Sequence, residues 1–138
     1  MSLTRFYDRQ TGVDGPVSGA LVVLPVTVAA SGATTPEYVV NLPAGMSFQV
    51  TDVLMSAAVV TATPTIGIGD TASATAIVNT TTFSSTAAAL TVADGAVAAG
   101  DIIKITITST ASDRLREGNV TIVGYVSSPP TSVGTRPA

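Results

Sequence analysis

The stretch Ile102–Ser109 alternates strictly, with Ile103, Ile105 and Ile107 on one face and Lys104, Thr106 and Thr108 on the other. A period of two suits a half-buried β-strand, whereas a helix would scatter those isoleucines around its axis. The same texture recurs along the chain. Short β-branched runs are separated by turn residues, including 12 Gly and 8 Pro, and helix signals are almost absent. Strands are therefore expected at Leu21–Val28, Tyr38–Leu42, Phe48–Ser56, Thr65–Asp70, Ala74–Thr82, Ala88–Ala93, Ile102–Ser109 and Asn119–Val126. Val59–Thr61 extends the third or starts the next.

Several details sharpen this pattern. Pro25 cannot donate to a ladder, which places its strand at an edge or at a bulge. The phase of alternation shifts near Asp52, which predicts a bulge. Gly67 and Gly69 face away from Ile66 and Ile68, a sign of close approach by another backbone or of a tight bend. About eight strands with short turns predict an all-β fold, a jelly-roll-like antiparallel β-sandwich; an immunoglobulin-like sandwich is the runner-up topology. Residues 18–126 form the sandwich domain, 1–17 an extended N-terminal arm and 127–138 a Pro/Ser/Thr-rich C-terminal tail. Composition predicts that both ends fray unless a neighbouring subunit holds them.

The residue inventory narrows the chemistry. Among 138 residues there is no Cys, His or Trp. Disulfides, thiol nucleophiles, imidazole bases and the usual zinc or haem ligand sets are therefore excluded. No Gly-x-Ser-x-Gly elbow is present, and no base is available to activate a hydroxyl. Asp70, Asp94 and Asp101 sit in Gly-flanked turns, where such acids more often bond their own backbone than calcium. The expectation is a non-enzymatic protein without metal or cofactor. Six basic residues against nine acidic ones leave no electrostatic footprint for nucleic acid. No run of 18 apolar residues marks a membrane span. Val17–Ala30 is the nearest approach to a signal-peptide core, but Asp8 and Asp14 precede it in a segment too long for an n-region. Assembly in a cytosol is the expectation.

Only 11% of residues are charged, whereas 22 are Thr. Exposed faces made of Thr, Ser, Ala and Gly suit packing against neighbours, where desolvating charge is costly. Two segments concentrate the few charges. Arg5, Phe6, Tyr7, Asp8 and Arg9 form a candidate docking arm, since Arg and aromatic side chains are typical interface anchors. Asp113-Arg114-Leu115-Arg116-Glu117 lies between the last two expected strands, as a solvated loop or, through Arg114 and Arg116, as a contact loop.

The segments Pro64–Asp70, Val97–Ile105 and Gly118–Ile122, with the Thr/Ala-rich stretch after the first, resemble small structural proteins of tailed-bacteriophage virions. These include capsid decoration (cement) proteins and head-fibre or tail modules. The resemblance spans residues 38–126 and implies a β-sandwich module, often a homotrimer, on the outside of an icosahedral capsid. It implies the major capsid protein and further copies of itself as partners, and no catalytic residue. The alternative is a carbohydrate- or receptor-binding head-fibre or tail module, which needs a concave patch with several aromatics or acids together, such as clustered Tyr38, Phe83 and Tyr125.

Overall fold

A computed structural model describes residues 19–129, together with the backbone of a short antiparallel pair, β1 (Tyr7–Asp8) and β2 (Val13–Asp14). The C-terminal tail from residue 130 onward lies outside the described residues. Every remaining regular element is a strand: β3 (Leu21–Ser31), β4 (Glu37–Asn41), β5 (Ser47–Thr61), β6 (Thr65–Gly69), β7 (Val78–Thr82), β8 (Ala88–Leu90), β9 (Ala96–Val97), β10 (Ile102–Thr108) and β11 (Arg114–Ser128). They form two antiparallel sheets in a sandwich. One has the order β3-β11-β5-β8, with β9 also on β5, and the other β4-β10-β6-β7.

The pairing is nested. With β9 set aside, the first strand of the sandwich pairs with the last (β3·β11), and the second with the seventh (β4·β10). The third pairs with the sixth (β5·β8) and the fourth with the fifth (β6·β7). Ladders β11·β5 and β10·β6 join these ribbons within each sheet.

The alternation of β10 explains the core directly. Ile103, Ile105 and Ile107 point inward with Ile66 and Ile68 of β6, all fully buried. They pack in one hydrophobic cluster with Val28, Phe48, Val50, Val53, Leu115, Val120, Ile122 and Val126 from the opposing sheet. Burying such side chains contributes about 1.5–3 kcal/mol each against the entropy of ordering the chain. Gly124 of β11 leaves space for an aromatic ring: a Cβ there would lie 2.8 Å from Phe48 Cζ and 2.2 Å from the Gln49 carbonyl oxygen.

The third, fifth and sixth expected strands lengthen or shorten for identifiable reasons. Val59–Thr61 continues β5 without a break, and the register shift expected near Asp52 lies between Val123 and Gly124 on the paired strand. The strand expected from Ala74 begins only at Val78, because residues 70–77 fold over β6 instead. Asp70 Oδ1 accepts the amides of Ala72 and Ser73 at 2.9 Å, which closes that turn. Gly69 permits the approach, since a Cβ there would stand 1.9 Å from the Ser73 carbonyl oxygen. Likewise β8 stops at Leu90, and Ala93 then donates its N–H across to Ile77 of the other layer at 2.8 Å.

Candidate interaction surface

Arg114 and Arg116 do not lie in a loop. They belong to β11, which starts at Arg114, because buried Leu115 between them continues the inward set of that strand. Residues two apart on a strand share a face and stand roughly 7 Å apart along it. Both guanidinium groups therefore project from the outer face of the five-stranded sheet. They flank an open cleft of about 510 Å³ lined by Ala29, Ala30, Ser31, Arg114, Leu115 and Arg116. A bulge shapes this end, where β11 shifts register between Leu115 and Gly118 and Glu117 takes φ 51°. Among the described residues the ion pair within 4.0 Å is Lys104–Glu37, and neither arginine has a carboxylate at that distance.

Asp113, adjacent in sequence, has a different task. It is buried, and its carboxylate accepts the Thr110 amide at 2.7 Å, the Thr63 amide at 3.0 Å and the Thr110 hydroxyl at 3.0 Å. Its carbonyl accepts the Gly32 amide at 3.3 Å, so three turns meet at one residue. The Thr110 amide, followed by the Thr63 amide and the Thr110 hydroxyl, holds the carboxyl below its usual range against the opposing effect of burial. Asp101 is lowered in the same way, first by the Thr71 hydroxyl and then by the Ile102 amide. Asp94 accepts the Ala96 amide at 3.0 Å. The turn acids thus satisfy backbone donors. Among the described residues no group of three or more His, Cys, Asp and Glu is placed to hold a metal ion, and no helix is long and apolar enough to cross a membrane.

The outer face that carries the arginines also carries an apolar surface that the sequence did not single out. Leu21, Val23, Leu54 and Tyr125 are 65%, 54%, 48% and 40% exposed. They are neighbours: Tyr125 pairs with Leu21, Val123 with Val23, and Thr121 with both Pro25 and Leu54. The outer face of the four-stranded sheet is treated differently. The fold-over of residues 70–77 covers β6, Lys104 pairs with Glu37 at 3.3 Å, and Val39 is its one large exposed apolar side chain among the described residues. The available signal was in β3, whose run Leu21-Val22-Val23-Leu24 is apolar at both parities. Such a run means a strand with two apolar faces, only one of which a two-layer sandwich can bury.

The arm candidates Arg5, Phe6 and Arg9 lie outside the described residues, as do the side chains of Tyr7 and Asp8. Of the aromatics that a sugar platform would need, Phe83 is in the core and Tyr38 turns its hydroxyl to the backbone of Ala29. Tyr125 alone of the three stands on the outer face of the five-stranded sheet. No known protein family, no curated protein and no solved structure matches this chain.

Proposed function

We propose that this chain is a virion structural protein, a decoration protein that assembles with itself and binds major capsid subunits on the outside of an icosahedral head, and that its sandwich is a jelly roll. The nested pairing of first with last, second with seventh, third with sixth and fourth with fifth supports the jelly roll, since wrapping one such double ribbon generates its two Greek keys. The observation that carries the functional reading is the contiguous apolar surface of Leu21, Val23, Leu54 and Tyr125, with two arginines on the same face that have no carboxylate within 4.0 Å among the described residues. A face of this composition suits burial against protein, with apolar contacts at its centre and arginines to meet acidic groups at its margin.

The mechanism is additive burial. Each bound copy covers edges between capsid subunits, and linkage makes the shell harder to open by about RT ln(1 + [L]/Kd) per site. The arm and tail add contacts to those of the face. Virus particles from the source culture, purified on a density gradient, should carry this chain where added protease can reach it without opening the shell. Recovery of the chain only in the soluble fraction would overturn the proposal.

A further inference from the structure

β3 is the terminal strand of its sheet and is 11 residues long without a single charge. Its two halves differ. In an antiparallel ladder the N–H and C=O of one residue point the same way, and successive residues alternate. Ala29 both receives and gives a hydrogen bond at the Tyr38 hydroxyl, each 2.9 Å, so its backbone groups face away from β11. By the same alternation Leu21, Val23, Pro25 and Thr27 face away too. Pro25, which has no N–H, therefore takes nothing from the β11 ladder. Tyr38 closes the edge at Ala29, while among the described residues nothing pairs with the edge from Leu21 to Thr27. This open half is apolar on both faces. Leu21 and Val23 are exposed outward, and Val22, Leu24 and Val26 on the inward face are only half-buried, unlike Val28 and Ala30 further along.

We infer that the open half of β3 pairs with the same segment of a second copy of this chain, antiparallel about a two-fold axis at Leu24. In that register Leu21 lies opposite the partner's Thr27, and Val23 opposite the partner's Pro25. Six backbone hydrogen bonds form: two for each Leu21–Thr27 pair, and one from each Val23 N–H to a Pro25 carbonyl. On the inward face Leu24 meets the partner's Leu24, and Val22 meets the partner's Val26, which covers the half-buried side chains on both copies. No like charges are opposed, because the strand has none. The register matches apolar to apolar on the inward face and leaves only the Val23 carbonyl, opposite Pro25, without a donor, and self-complementarity of this kind is what a two-fold interface requires.

The capped end of β3 is compatible with the same occupant. The ladder ends where Gly19 of the partner reaches Ala29, whose outward groups already hold Tyr38. Pairing identical edges gives a dimer, in place of the homotrimer that the resemblance implies. The inference deepens the self-assembly half of the proposed function and is independent of the capsid half, since it is read on the isolated chain.

Sedimentation velocity of the full chain across the micromolar range, combined with amide hydrogen exchange, tests it. The expected result is a monomer–dimer equilibrium in which the outward amides of Leu21, Val23 and Thr27 are protected in the dimer and exchange freely on dilution. Val23→Lys places a solvated charge on the edge and should raise the dimer dissociation constant at least tenfold. Leu21→Lys is the second variant should the first not fold, and Val39→Lys on the other sheet should leave the equilibrium unchanged. A monomer at all concentrations, a trimer, or a dimer indifferent to both β3 variants would overturn the inference. So would outward amides that stay protected in a monomeric variant, because the chain's own residues would then cover the edge. Particles that lack the chain would sink the capsid proposal and leave this one standing.

Discussion

The five-stranded sheet ends in two edges built on opposite principles. At one side β3 presents 11 continuous residues, broken only by Pro25 and the Tyr38 cap. At the other the edge is divided into β8, three residues long, and β9, two residues long, both paired to β5. Between them the chain leaves the ladder, where Ala93 bonds Ile77 of the opposite layer, and returns at Gly95, whose carbonyl accepts the Val50 amide of β5 at 2.8 Å. Short, interrupted edge strands are a known defence against unwanted pairing, whereas a long uncharged apolar edge invites it. One edge of the same sheet is therefore blunted and the other left open, which is why the proposed pairing is placed on β3.

The comparison can be broken most severely from the middle. Ile122 is fully buried on β11 and pairs with Leu24 toward one edge and Val53 toward the other. Ile122→Ala should cost about 2–5 kcal/mol, and exchange protection should fall together along β3 and β5 in denaturation-linked hydrogen exchange. Loss confined to one side would show that the edges belong to separate folding units.

A lysine placed on each edge sharpens the contrast. Val23→Lys should abolish self-association at concentrations where the parent is dimeric, while Ala89→Lys, at the exposed residue of β8, should leave the sedimentation profile unchanged. Equal effects from the two would remove the distinction between them. Restoring the missing donor acts in the opposite direction. Pro25→Ala lets residue 25 give an N–H to the partner's Val23 carbonyl, so association should tighten several-fold, even though the freer unfolded chain lowers the thermal midpoint slightly. Weaker association would argue against strand pairing at this edge.

The smallest effect concerns the sealed end of β3, where Asp113 ties Gly32, Thr63 and Thr110 together. Its pKa is depressed below 3.8 in the folded chain. Its contribution is accordingly complete above the unfolded value and is lost as pH falls through the folded one. Thermal midpoints should decline by a few degrees on acidification below about pH 4, and Asp113→Asn should flatten that limb. An unchanged acid limb in the variant would assign the effect to Asp101 instead.

Much of the fold was legible because its signals are local. Ile103, Ile105 and Ile107 alternate with polar residues, so one face had to be buried. Pro25 announced an edge or a bulge, and Gly69 a close approach or a tight bend, each by a property of its own backbone. The short β9 and the early end of β8 were not legible, since both follow from bonds to residues far along the chain, at Val50 and Ile77. The candidate surface was half legible. Arg114 and Arg116 stood out because charges are rare here, but the acid beside them, Asp113, turned out to hold turns rather than to face a partner. Leu21, Val23 and Leu54 are not legible as a surface, because one-dimensional patterning reports that a strand is apolar and not which of its faces remains uncovered.

By itself, then, the sequence determined the class of object: an all-β chain whose inventory lacks thiol, imidazole and indole and whose charges number 15 in 138 residues. Alternation, turn chemistry and composition are properties of neighbouring residues, and they suffice for that much. Only the tertiary structure decided which strands lie at the rim and which apolar side chains stay outside. Two layers can bury only the faces that meet, and which faces meet depends on the order in which distant strands pair.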